Sequence, residues 1–107
     1  MADFPDVGVI CEMTPEEALS ATLAFLDSSP DDHALCMAAL TIGEPLIDCH
    51  WQAIGEEFIA HLARRSDLRK MVSSCVFDEA VPELLRERLY SFVRPEDDIG
   101  HQPAAER

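Results

Sequence analysis

Ile47, Trp51, Ile54, Phe58 and Leu62 follow one another at spacings of four, three, four and four residues, the most regular apolar stripe in the chain. That period puts all of them on one face of an α-helix. Leu19, Thr22, Leu23 and Leu26 repeat it with Phe25 alongside. Leu35, Ala38, Ala39 and Ile42 repeat it again with small residues that let a second helix come close. Leu68, Met71, Val72 and Cys75 mark a shorter face, and Val81, Leu84, Leu85, Leu89 and Phe92 a last one. Strand-type alternation is absent, as are Asn-Gly and Asp-Gly hairpin dipeptides. The pattern predicts an all-α fold, a compact bundle of about five antiparallel helices joined by short loops.

Polar residues supply the expected boundaries. Thr14-Pro15-Glu16-Glu17 combines a capping threonine, a proline at the first helical position and a glutamate three residues after the cap, so a first helix is expected over about 15–28. Ser29-Pro30-Asp31-Asp32 repeats this chemistry for a second helix. Gly43 suits a left-handed helix end and Pro45 a helix start, so Gly43-Glu44-Pro45 is expected to form the hinge of an antiparallel hairpin. The third helix then carries the long stripe and closes on Arg64 and Arg65. Ser66 can cap a short fourth helix, and a fifth begins near Pro82. Residues 1–13 are expected to be an arm that Val9 and Ile10 can pin, residues 14–93 one helical domain, and residues 94–107 a disordered acidic tail without an apolar face.

Ala38-Ala39-Leu40-Thr41-Ile42-Gly43-Glu44-Pro45, an alanine-rich helix ending in Ile-Gly-acid-Pro, resembles the junction between successive units of HEAT repeats. The resemblance covers about residues 31–62. It implies helical hairpins that stack into a protein-binding surface.

Charge changes the picture more than composition does. The 107 residues, 48% of them hydrophobic, suffice for one modest core. Net charge is −13, and residues 1–63 contain no lysine or arginine. Phosphate binding draws its affinity from Lys and Arg, so direct contact with DNA or RNA is disfavoured, as is an anionic membrane surface. No run approaches the roughly 20 apolar residues of a membrane span. The N-terminal MADFPDVGVICEM lacks the basic region of a secretory signal, so a cytoplasmic location is expected. A basic protein partner is favoured, because complementary fields speed encounter and reject wrong partners. Acidity also keeps a small protein soluble, which accounts for net charge without any partner.

The candidate chemistry is sparse. Cys11, Cys36, Cys49 and Cys75 lie in separate segments with no Cys-x-x-Cys pair, and reduced thiols are expected in preference to disulfides. His33 with Cys36, and Cys49 with His50, are residue types that zinc prefers, but neighbouring helix positions point about 100° apart. Both cysteines are therefore expected in the core and both histidines near the surface, with no metal and no cofactor. His61 has Ser73, Ser74 and Cys75 as its nearest nucleophiles in sequence, yet no G-x-S-x-G elbow or glycine-rich phosphate loop accompanies them. A non-enzymatic protein is expected. Arg64, Arg65, Arg69 and Lys70 are expected to pair with the chain's own acids.

The expected partner surface comprises Glu16, Glu17, Asp27, Asp31, Asp32, Glu44, Asp48, Glu56 and Glu57, with Trp51 or Phe25 as apolar anchors. Helix-start chemistry explains many of these acids, but it does not explain why bases are excluded from 63 residues. The expected function is inhibition, in the manner of immunity proteins or phage inhibitors, by covering a basic nucleic-acid-binding surface of a nuclease or a defence or toxin effector. The alternative is a structural or adaptor module acting as a homodimer or as a subunit of a larger complex.

Overall fold

The structure, a computed structural model, describes residues 7–99 as a compact all-α bundle with no strand among the described residues. The first element among the described residues is helix α1 (Val7–Glu12), which lies within the segment expected to be an arm pinned by Val9 and Ile10. Six residues are too few to show a periodic face, but Ile10 is fully buried and anchors the helix. Helix α2 (Pro15–Asp27) starts at the expected capping box, in which the Glu17 N–H donates to Thr14 Oγ1 at 3.1 Å and the Thr14 N–H to Glu17 Oε1 at 3.2 Å. Thr22 sits in its buried face because its hydroxyl donates to the Ala18 carbonyl at 2.8 Å. The chain reverses at Ser29, whose φ of 59° is left-handed, and Asp31 then caps helix α3 (Asp32–Ala38) by accepting the Ala34 N–H at 2.8 Å.

The expected hairpin at Gly43 does not form. Helix α3 passes through one π-helical turn (Ala39–Gly43) directly into helix α4 (Glu44–Arg64), and Gly43 keeps right-handed angles, φ −65° and ψ −50°. The Glu44 N–H bonds back to the Ala39 carbonyl, five residues earlier. This wider turn comes immediately before Pro45, which has no N–H and whose ring would crowd an ordinary α-helical turn. Proline here marks a shift of hydrogen-bond register within one rod. The glycine has a separate cause: a Cβ at position 43 would stand 2.7 Å from Cys75 Sγ and 3.4 Å from Met71 Cε.

Helix α4 supplies Ile47, Ile54, Phe58, Ile59 and Leu62 to the core, with Trp51 half-buried at its rim. Helices α1 and α2 pack on α4, and helix α5 (Ser66–Ser73) packs on both α3 and α4. Helix α6 (Glu83–Ser91) follows a loop anchored by buried Phe77 and Val81. Leu89 of this helix is buried and Leu85 rests against Gly55, but Leu84, expected on the same inner face, is 75% exposed.

Residues 94–99, expected to be disordered, are built into the bundle. Pro95–Asp97 forms a 3₁₀ turn whose Asp97, 2% exposed, accepts from Arg69 Nε at 2.8 Å. Arg69 also donates through Nη1 to the Leu62 and Ala63 carbonyls at 3.1 and 3.3 Å, satisfying the end of α4. The Ile99 N–H donates to Ser73 Oγ at 3.2 Å, and the Ile99 side chain packs against the core. Polar ties order this segment, so a search for an apolar face misses it. The remainder of the expected arm and tail, residues 1–6 and 100–107, lies outside the described residues.

Two substitutions test this account. Gly43→Ala gains about 1 kcal/mol in helix propensity, yet it is expected to destabilise the protein by about 1–3 kcal/mol through overpacking. Urea denaturation should show the loss, and Cys75→Ala in the same chain should recover much of it. Asp97→Ala strands the Arg69 charge in the interior and is expected to cost about 3–5 kcal/mol, whereas Arg69→Met with Asp97→Leu should cost less than Asp97→Ala alone.

Candidate partner-binding surface

The acids singled out in the sequence do not converge on one site. Glu17 and Asp31 are occupied as helix caps. Asp27 pairs with Arg65 Nη2 at 2.9 Å, Asp32 with Lys70 Nζ at 3.4 Å, and Glu56 with both terminal nitrogens of Arg88 at 2.7 and 3.1 Å. Arg65 also reaches Asp67 at 3.0 Å. Internal pairing, expected of the cluster after α4, thus engages Arg65, Arg69 and Lys70, while Arg64 is exposed and makes no ion pair among the described residues. The Arg88 guanidinium lowers the pKa of Glu56 from the usual carboxylate range.

Three shallow grooves divide the remaining groups. Glu16, Asp27 and Glu57 line the first, between α2 and α4, over Leu19 and Leu23. Trp51 and Glu56 line the second with Leu84, Leu85 and Arg88 of α6. Trp51 and Phe25, expected as exposed anchors, are half-buried against the core. The third groove holds Glu44, Asp48 and Asp78 beside Leu40, Pro45, Cys11 and Cys49. Here Glu44 accepts the Val76 N–H at 2.8 Å and Asp48 the Asp78 N–H at 2.9 Å, so two carboxylates of α4 hold the 76–78 loop. Burial raises the pKa of Asp48; the Asp78 N–H opposes that rise and the Asp78 charge adds to it. Asp78 was missed in the sequence because it belongs to a loop, and Leu40, 56% exposed, because it lies off every apolar stripe.

The cysteines depart most from expectation. Cys11 and Cys49 form a disulfide between α1 and α4, with Cα atoms 5.5 Å apart, and Cys49 is exposed instead of lying in the core. Thirty-eight residues separate the two, and no sequence signal pairs them. His50, expected at the surface, is 8% exposed, and its Nε2 donates to the Ile10 carbonyl at 2.8 Å. Docking of α1 accounts for both corrections, since α1 brings Cys11 and the Ile10 carbonyl onto the start of α4. Cys36 is partly buried, with its Sγ donating to the Ile99 carbonyl at 3.8 Å. His33 lies exposed on α3, and among the described residues no three His, Cys, Asp or Glu side chains converge as metal ligands.

No hydrogen bond among the described residues joins His61 to Ser73, Ser74 or Cys75. Ser73 donates to the Lys70 carbonyl at 2.6 Å and Ser74 to Cys36 Sγ at 3.4 Å. The buried Cys75 thiol donates to the Met71 and Ala39 carbonyls at 3.4 and 3.7 Å. Burial, reinforced by the Glu44 and Asp48 charges, pushes its pKa well up. Its backbone carbonyl accepts the Tyr90 hydroxyl at 2.6 Å.

The raised pKa of Asp48 makes a pH-dependent prediction. A carboxyl that titrates higher in the folded state favours folding fully below its unfolded pKa, and that contribution is lost as pH rises through the folded value. Asp48→Asn retains an oxygen for the Asp78 N–H without the charge. Thermal melts should show the variant more stable than the parent at neutral pH, with the difference vanishing near about pH 3.

Comparisons with protein-family models, with curated proteins and with solved structures find no match to this chain.

Proposed function

We propose that the chain is a non-enzymatic acidic protein that binds a basic protein partner in the cytoplasm. In its concrete form it is an inhibitor that covers the nucleic-acid-binding surface of a nuclease or of a defence or toxin effector. The observation that carries this is the separation of charge sign. Helices α1 to α4 up to residue 63 contain no lysine or arginine. The cations that reach back to them, Arg65, Lys70 and Arg88, are spent on Asp27, Asp32 and Glu56. Glu12, Glu16, Glu44, Asp48 and Glu57 make no ion pair among the described residues, so carboxylates there can stand where phosphates would. Opposed fields of this kind act on encounter rate and on choice of partner more than on the final affinity.

A second reading, an adaptor that self-associates, draws support from Val76 and Leu84, which are 76% and 75% exposed. Sedimentation at micromolar concentration separates the two, since a tight symmetric dimer favours the adaptor and a soluble monomer the inhibitor.

The tagged full chain, used as bait in its native cell extract, is expected to retain a strongly basic nuclease or nucleic-acid-binding protein. With that protein purified, raising salt from about 50 to 300 mM should weaken binding by about tenfold or more, mostly through slower association. Glu16→Lys with Glu57→Lys should slow association further. Salt-insensitive binding would remove the electrostatic account.

A further inference from the structure

We propose that the Cys11–Cys49 disulfide is a thiol-exchange site and a reversible latch on helix α1, opened readily by neutral and cationic thiols and slowly by anionic ones. Helix α1 is six residues long, too short to persist by itself in water. Among the described residues it is held by the buried Ile10 side chain, the 2.8 Å hydrogen bond from His50 Nε2 to the Ile10 carbonyl, and the disulfide. Among the described residues α1 contributes Ile10 to the buried core, and the other buried core residues come from the chain that follows it. Breaking the covalent tie therefore loosens one end of the chain and leaves the rest of the bundle standing.

Access decides which sulfur is attacked. Cys49 is exposed and Cys11 half-buried, so an incoming thiolate meets Cys49 first. The thiolate forms a bond to Cys49 Sγ, the Cys11–Cys49 bond breaks, and its electron pair leaves on Cys11 Sγ, which takes a proton from water. Cys11 Sγ lies 3.9 Å from the Pro45 carbonyl oxygen, an acceptor for that new S–H. A second thiolate then attacks the mixed disulfide at the reagent's sulfur. The electron pair leaves on Cys49 Sγ, which takes a proton from water, and the two reagent molecules leave joined as their own disulfide. The reverse exchange with a small disulfide closes the latch.

Charge decides which thiols arrive. Cys11 and Cys49 line the same groove as Glu44, Asp48 and Asp78. Every attacking thiolate carries a negative sulfur, so the field of these acids excludes most strongly the reagent with a second negative group and least the one whose ammonium offsets the thiolate. Disulfides in reducing compartments are in general transient or redox-sensing, which is the behaviour assigned to this pair. The latch needs no binding partner, so its test and the salt test of the proposed function fail independently.

The full chain, air-oxidised and checked for the Cys11–Cys49 linkage by peptide mass, is treated with cysteamine, 2-mercaptoethanol or 3-mercaptopropionate at equal thiolate concentration. Rates are normalised to those on hydroxyethyl disulfide. At low salt, cysteamine should react roughly tenfold faster than mercaptopropionate. The gap should close at about 0.5 M salt and in Glu44→Gln with Asp48→Asn. Hydrogen exchange at residues 11–13 should rise about tenfold or more on reduction while α4 and α5 stay protected, and Cys11→Ser with Cys49→Ser should reproduce that pattern without reductant. Three results would overturn the proposal: failure of the disulfide to form in air, unchanged exchange at residues 11–13 after reduction, or simultaneous loss of protection in every helix. Equal normalised rates for the three thiols would remove its selectivity.

Discussion

The contact between Gly43 and the thiol of Cys75 sets how closely the two halves of the bundle approach. Helix α5 and the turn after it lie against the rod formed by α3, the π turn and α4, and they meet it where the rod carries no side chain. Cys75 is held there by its bonds to the Met71 and Ala39 carbonyls, so it has little room to retreat. The loop beyond it is tied to the same rod by Glu44 and Asp48, and the 3₁₀ turn is tied to α5 by Asp97 and Ser73. Each later element is thus placed by a polar tie to a surface that the close approach first defines.

Those ties bear on the distribution of charge. The basic residues begin where the chain stops adding to the rod and starts folding back onto it, and several of them serve that return directly: Arg65 to Asp27, Lys70 to Asp32, Arg88 to Glu56. Exposed pairs of this kind contribute only about 0–1 kcal/mol each. Their larger effect is on orientation, since they join the later elements to the rod and to α2 and leave Glu12, Glu16, Glu44, Asp48 and Glu57 without an ion pair among the described residues. The buried Arg69–Asp97 pair works differently, because its charges are shielded from water and must be matched.

How much could be read from the chain varies with the kind of signal. Helix α2 was legible in detail because its capping box, its proline and its apolar stripe all act within a few residues. The stripe of α4 was legible for the same reason. Gly43-Glu44-Pro45 was misread because glycine and proline have two physical uses each. Glycine can permit a left-handed turn or a close approach, and proline can open a helix or sit beside a register shift; choosing between them requires knowing that Cys75 lies opposite. The 94–99 segment, the disulfide and the burial of His50 depend on partners 26 or more residues away, which no local pattern encodes. The candidate surface was legible as a set of charges and not as a place, because its acids are divided among caps, ion pairs and grooves by contacts made across the fold.

The hydroxyl of Tyr90 that reaches the Cys75 carbonyl has a practical meaning as well. Tyr90 is the chain's single tyrosine and Trp51 its single tryptophan. Tyr90 stands on α6 with its ring centroid 5.6 Å from that of Phe77, whereas Trp51 faces α6 from the other side of the groove shared with Leu85. The two native chromophores therefore bracket one helix. Ultraviolet spectroscopy of the unlabelled protein observes the seating of α6 from both sides, and lifting that helix away would alter the surroundings of both rings at once.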